Sequence, residues 1–258
     1  GTNDWSVRVS GSQEYLRERT LRFQKQILRM RGLAGKSQVV VVVVPEKDYL
    51  IDRLFRKSGR YAAISAEMNF LAEQFRAASI PFVFHNAIDG LEKYQSESDF
   101  SYPDSHLPGR NYVHIFATML VALGFDWGQV QDCVSLTPFP QYMDLVGKLS
   151  GVPETPNSMA EPDVTGSDVA LVGGNEALQS PLGATWQRYR NATPRIDKSV
   201  LLLGDSHSSI LRNRKLNYLC SNIFSETEFH WDPCGVRGSD LIYDSDVVIL
   251  EISQRFIF

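Results

Sequence analysis

The chain has 258 residues, of which 43% are hydrophobic and 22% charged, and its formal net charge is −4. This composition fits an ordinary folded protein, long enough for one large α/β domain spanning 1–258, and leaves no basic footprint for nucleic acid. No apolar run approaches the roughly 20 residues of a membrane span, since the longest, Val39 to Val44, has only the length of a strand.

In chain order, Trp5 to Val9 reads as a short strand. Ser12 to Met30, with Tyr15, Leu16, Phe23, Ile27 and Met30 at helical spacing, reads as an amphipathic helix ended near Gly32. Gln38 to Val44 reads as a strand buried on both faces and closed by Pro45-Glu46-Lys47. Tyr61 to Ala78 reads as a helix, and Ile80 to Phe84 as another short strand. Asp99 to Arg110 is polar and proline-containing, hence a loop, and Asn111 to Leu123 is an apolar helix. Cys133 to Ser150 is expected to be partly helical, and Pro153 to Gly166 to be an exposed excursion. Val169 to Val172 and Thr185 to Tyr189 can pair as an antiparallel ribbon. Glu226 to Trp231 and Asp246 to Ile252 follow, the latter as the last buried strand. The alternation of strand and helix predicts a mostly parallel sheet with helices on both faces.

The most informative stretch is Ser199-Val200-Leu201-Leu202-Leu203-Gly204-Asp205-Ser206, a buried strand running into a sharp turn. Ligands of open α/β sheets bind beyond the carboxyl ends of the strands, and Ser206 would stand there. With Ser208 or Ser209 capping a following helix, its hydroxyl would lie near exposed N–H groups, a setting in which serine becomes a nucleophile. The competing reading is a plain strand-turn junction. A nucleophilic serine needs a base, and His106 is the best placed of five histidines because Asp104 lies two positions before it in the same loop. In an extended loop, residues two apart face the same side. His114 reads as packing and His230 as structural, while His85 ends a strand and His207 is expected to point away from the nucleophile. No histidine spacing suggests zinc. Cys220 and Cys234 either bridge across a loop-rich stretch or stay reduced, with Cys133 left over.

Gly204-Asp205-Ser206 after a buried strand resembles the nucleophile block of SGNH (GDSL-type) esterases, and Gly235-Val236-Arg237-Gly238 falls where that family has its oxyanion glycine. The strand Val247 to Leu250 runs into Glu251-Ile252-Ser253-Gln254-Arg255, so the family's oxyanion asparagine is missing. The Asp-x-His precedes the serine instead of following it. That permuted order resembles the SGNH-like O-acetyltransferases of bacterial exopolysaccharides, the alginate acetylation proteins. The similarity extends to Asp4-Trp5, Pro45-Glu46-Lys47, Asp104-Ser105-His106, Asp144-Leu145 and Glu251 to Arg255. Leu107 and His207 stand where that family usually has Trp and Phe.

The resemblance implies a three-layer α/β/α SGNH-hydrolase-like fold with a mostly parallel central sheet, and a Ser206-His106-Asp104 triad. Gly238, with Gln254 or Arg255, would supply oxyanion donors, and Lys47 would face the same cavity. It further implies an acetyl-serine intermediate and acetyl transfer to a polysaccharide hydroxyl. The acetyl donor would come by way of a membrane-bound acyltransferase partner, with no cofactor and no nucleic acid. The setting would be periplasmic or otherwise extracytoplasmic, any signal or anchor segment having been removed. A carbohydrate acetyl esterase with the same triad, and a non-catalytic glycan-binding protein, are the alternatives. Trp231 and Tyr243 are candidates for stacking a saccharide beside Ser206.

Overall fold

The computed structural model describes residues 13–84, 88, 106–141, 157–175, 186–208, 214–232 and 244–258. Helix α1 (Gln13–Leu33) leads into β1 (Gln38–Val44), whose residues 39–44 are all buried. A short helix α2 (Lys47–Ile51) continues into a π-helical turn (Asp52–Arg56), followed by α3 (Ala62–Ala77) and β2 (Phe82–Val83). After His106 comes α4 (Gly109–Ala122). Strands β3 (Val134–Gln141), β4 (Asn157–Val164), β5 (Val169–Gly174) and β6 (Trp186–Asn191) lead to β7 (Ile196–Gly204). The chain closes with α5 (Leu216–Ile223), β8 (Phe224–Trp231), β9 (Val247–Ser253) and the short α6 (Gln254–Ile257).

The described strands form a seven-stranded sheet of order β2-β1-β9-β7-β8-β6-β5 and a separate two-stranded ribbon, β3-β4. Strands β2, β1, β9, β7 and β8 are mutually parallel, and β6 and β5 extend the sheet antiparallel. The connections β1-α3-β2 and β7-α5-β8 leave the middle of the sheet in opposite directions. A right-handed crossover moving one way covers one face, and one moving the other way covers the opposite face. Helix α3 therefore lies on one side with α1, joined through the Phe23–Phe75 ring contact at 6.2 Å. Helix α5 lies on the other with α4, where Phe116 meets Phe224 at 6.4 Å. The result is an α/β fold with a mostly parallel sheet flanked by helices. The buried side chains of β1, β7 and β9 form the middle of its core. No helix among the described residues is long and apolar enough to cross a membrane.

Three sequence readings are corrected. Residues 134–141 form β3, while the helical segment expected at 144–149 lies outside the described residues; the expected excursion at 153–166 contains β4, paired with β3 from Val134↔Val164 to Gln141↔Asn157. Prolines 138, 140 and 162 lie in this ribbon, which is all edge, so a missing N–H donor is tolerated. Helix α5 starts at Leu216 with Lys215 before it, so Ser208 does not cap it, and Ser209 lies outside the described residues; Asn217 N–H in its first turn donates to the Ser208 carbonyl at 2.9 Å. The Cys220–Cys234 bridge is also absent. Cys220 is a free thiol, fully buried, whose pKa burial pushes far up, and Cys234 lies outside the described residues. Trp5 to Val9 likewise lies outside them. The antiparallel pairing expected between Val169 to Val172 and Thr185 to Tyr189 is present as β5 and β6.

Gly109 starts α4 against the backbone of β4, so a methyl group there would collide with the Ala160 carbonyl and with Glu161 Cα at 2.9 Å. Gly109→Ala is expected to cost about 1–3 kcal/mol of stability, because backbone on both sides must move. Urea denaturation of the two proteins measures it, and an unchanged midpoint would show that the contact is not tight.

Candidate active site

Strand β7 stops at Gly204, and residues 205–208 turn beside the end of β9. Asp205 makes the turn: its Oδ1 accepts from His207 N–H at 2.8 Å and its Oδ2 from Ser253 N–H at 2.9 Å. Glu251 answers from β9, its Oε2 accepting from Asp205 N–H at 2.9 Å and from the Ser208 hydroxyl at 2.7 Å. Only glycine fits at 204, since a Cβ would strike Ser208 Oγ and, at 2.6 Å, Glu251 Oε2. Asp205, His207, Ser208 and Glu251 are all buried, whereas Ser206 is half-buried and is the member of the turn that reaches solvent.

Two carboxyl groups so close and so dry cannot both ionise cheaply. Burial, then the neighbouring Asp205 carboxyl, pushes Glu251 well above its ordinary value. The protonated form of Glu251 is thereby favoured, while the Asp205 side chain accepts from two backbone N–H groups.

His106 is buried and precedes Leu107-Pro108, with Pro108 capping α4. Its ring lies 5.1 Å from that of His207, centroid to centroid, edge to face at 65°. The permuted histidine thus packs against the residue following Ser206. His207 does not merely point away, as expected from sequence. Its Nδ1 shares a 2.7 Å hydrogen bond with the Tyr112 hydroxyl of α4. Lys215, also fully buried, places its Nζ 5.5 Å from the centre of the Tyr112 ring. Burial, followed by the neighbouring His106, Lys215, Arg255 and Lys47, holds His207 well below the ordinary histidine value, hence neutral.

Lys47 and Arg255 follow β1 and β9, and both are close enough to act on His207. Arg255 pairs with Glu46 (Nε to Oε1, 2.7 Å), which burial pushes upward against the opposing pull of Arg255. Gln254 is fully buried, and its Oε1 accepts from Glu46 N–H at 3.1 Å, tying β9 to β1. His230 hydrogen-bonds Glu228 within β8 at 2.6 Å, consistent with a structural role. Trp231 packs partly against the core. Asp104, Gly238, His85, Asp144-Leu145, Asp4-Trp5 and Tyr243 lie outside the described residues. Sequence reasoning missed Tyr112 and Lys215. Tyr112 was hidden as one more ring on an apolar helix, and nothing local marks a lysine that will be buried.

No family profile matches the chain, and no characterised protein matches it by sequence. Solved structures do match it. A DHHW family protein from Eubacterium siraeum superposes with a TM-score of 0.63 at 10% identity, over 92% of this chain and 85% of that one. Bacillus cereus PatB1 gives 0.61 at 9% identity, over 96% and 92%. The O-acetyltransferase domain of Pseudomonas putida AlgJ gives 0.55 at 15%, over 95% and 84%. The likeness establishes a shared fold.

The Glu251–Asp205 pair makes stability depend on pH. Glu251 has a folded pKa raised above its ordinary 4.5, so its contribution is fully present below that value and is lost as pH rises through the raised one. Glu251→Gln keeps an acceptor for Asp205 N–H and cannot ionise. It should therefore flatten the decline, leaving the variant more stable than the wild type at alkaline pH relative to pH 5. Thermal melts across the pH range test this; parallel curves for the two proteins would contradict it.

Proposed function

We propose that this chain is a serine-dependent O-acetyltransferase that carries acetyl on Ser206 and delivers it to hydroxyls of an extracytoplasmic polysaccharide. The observation that carries the reading is the packing of His106 against His207 at 5.1 Å, which brings an imidazole from far upstream to the turn holding a half-buried serine. Two likenesses of fold support it: the AlgJ domain is an O-acetyltransferase, and PatB1 has been captured with a sulfonyl adduct. Sulfonyl reagents form such adducts with activated nucleophiles.

In the reaction, His106 takes the proton of Ser206 Oγ as that oxygen attacks the acetyl carbonyl of the donor. Asp104 holds the imidazole in the required tautomer and stabilises its charged form. The oxyanion is met by the backbone N–H groups of Ser206 and Gly238, with the Gln254 amide or the Arg255 guanidinium as further donors. Preorganised donors in a dry site contribute several kcal/mol. His106 returns the proton to the departing donor oxygen, then takes one from a sugar hydroxyl that attacks the acetyl-serine and hands it to Ser206 Oγ as the serine–acetyl bond breaks. Lys47 and Arg255 keep the surroundings positive as the oxyanion forms. No cofactor enters these steps. A membrane-bound acyltransferase partner would supply the acetyl donor.

Incubation with an activated acetyl ester, with and without oligosaccharides, followed by mass analysis, tests the reading. A mass gain on the oligosaccharide is expected, and Ser206→Ala should abolish ester cleavage and transfer together. Asp104→Asn should reduce the rate by ~10⁴-fold, by analogy with serine proteases, where the same change mis-sets the tautomer. Ester cleavage without any transfer to saccharide would make the protein an esterase; activity surviving in Ser206→Ala would remove the nucleophile.

A further inference from the structure

Helix α1 gives only one face to the core. Leu16, Thr20, Phe23, Ile27 and Met30 are buried, and the opposite face is open to solvent. That open face is not a plain polar one. Leu21 and Leu28, two turns apart, are 46% and 39% exposed, and Arg22, Lys25 and Arg29 are exposed beside them. Of the nine large hydrophobic side chains exposed among the described residues, four (Tyr15, Leu21, Leu28 and Leu33) belong to this one helix. A single exposed leucine needs no explanation, but a concentration of them on one helix marks an interaction surface.

Charge is as unevenly placed as the apolar surface. The whole chain carries −4, yet from Arg19 to Pro45 it has six cations and no Asp or Glu. Arg19 and Arg31 turn to backbone carbonyls, and Arg22 pairs with Glu18 one turn back. Lys25 and Arg29 make no hydrogen bond or ion pair with any described residue. At 3.6 residues per turn, Lys25 stands opposite the buried stripe of Phe23 and Ile27, at the centre of the outward face. Charged residues are depleted at the centres of protein–protein interfaces, so a lysine there disfavours a second protein as the occupant. Cationic heads on long stems around protruding leucines match a phospholipid surface instead. The heads reach the phosphates, and the leucines enter between the headgroups.

We infer that the outer face of α1 docks this protein peripherally on a membrane rich in anionic phospholipid, with the helix lying in the headgroup plane. The cations attract the surface and Leu21 and Leu28 anchor on it, while the buried face stays packed on the sheet. The docked orientation follows from the fold. Near its start, α1 is tied to the serine rim, since Arg19 donates to the carbonyls of Phe256 and Ile257, just past β9. Its end leads into the amino end of β1. The strands therefore lie along the membrane, and the rim that carries Ser206 opens sideways along the surface rather than away from it. The inference stands on α1 and does not depend on the acetyltransferase reading.

Flotation of the full chain with vesicles of phosphatidylglycerol and phosphatidylcholine in equal parts, and with phosphatidylcholine alone, tests the docking face. The mixed vesicles should carry the protein at low salt and the neutral ones should not. Raising the ionic strength to ~0.5 M should weaken binding by at least about tenfold, because screening then acts within a few ångströms. Lys25→Glu with Arg29→Glu should also weaken it by at least about tenfold, and Leu21→Ser with Leu28→Ser by about threefold or more. Hydrogen exchange across residues 21–33 of the wild-type protein should slow when the mixed vesicles are added, a readout that needs no variant to fold. Equal binding to neutral vesicles, no binding to mixed ones, no protection of 21–33, or indifference to the charge reversal would each overturn the docking face. So would sedimentation showing a dimer that the charge-reversed variant dissociates, since the face would then be a contact between copies. None of these readouts needs turnover. Vesicle binding without acetyl transfer would sink the proposed function alone, and transfer without vesicle binding would sink the docking face alone.

Discussion

The structure at the functional rim depends on the contact between Asp205 and Glu251. Where the backbone ladder between β7 and β9 runs out, side chains take over its work. Asp205 ties the turn to itself and to Ser253, and Glu251 ties it back through Asp205 N–H and Ser208. The four hydrogen bonds are buried, so losing any partner would strand a polar group away from water, which typically costs about 1–3 kcal/mol. This is why the serine turn is held although no helix begins within it. Burial and the neighbouring Asp205 carboxyl both favour the protonated form of Glu251, which eases repulsion across the strand ends the two join.

A second staple continues the line. Gln254 reaches from the end of β9 to Glu46 N–H at the end of β1, and Arg255 pairs with the Glu46 side chain. The ends of β7, β9 and β1 are thus joined by side chains in the order in which the strands lie. They carry Ser206, Arg255 and Lys47 along one edge. Beside that edge, His207 stays neutral among positive neighbours, so it adds no charge next to His106 while its bond to Tyr112 holds its ring.

Much of this was legible in the sequence. The unbroken aliphatic runs at 39–44, 200–203 and 247–250 marked the central strands, because only strands buried on both faces need every side chain apolar. Gly-Asp-Ser after such a run marked the turn, and glycine is required there because Glu251 and Ser208 approach so closely. Strand β4 was misread because the Pro, Ser, Thr and Asn content of 153–166 was taken as the mark of an exposed excursion, whereas an all-edge ribbon has N–H positions that need no partner.

The sequence by itself determined which segments are buried strands, where the chain can turn, and that a serine stands at a strand end with an upstream histidine available. Tertiary structure alone decided that the last strand inserts between β1 and β7, which is what puts Glu251 beside Asp205. It also decided that His106 meets His207, that Lys215 is buried against Tyr112, and that Cys220 stays a free thiol. The physical reason is that apolar periodicity reports burial, a local property of each segment, whereas strand order and polar pairing depend on groups far apart in the chain. Glu251 and Asp205 look like any two acids until the sheet brings them together.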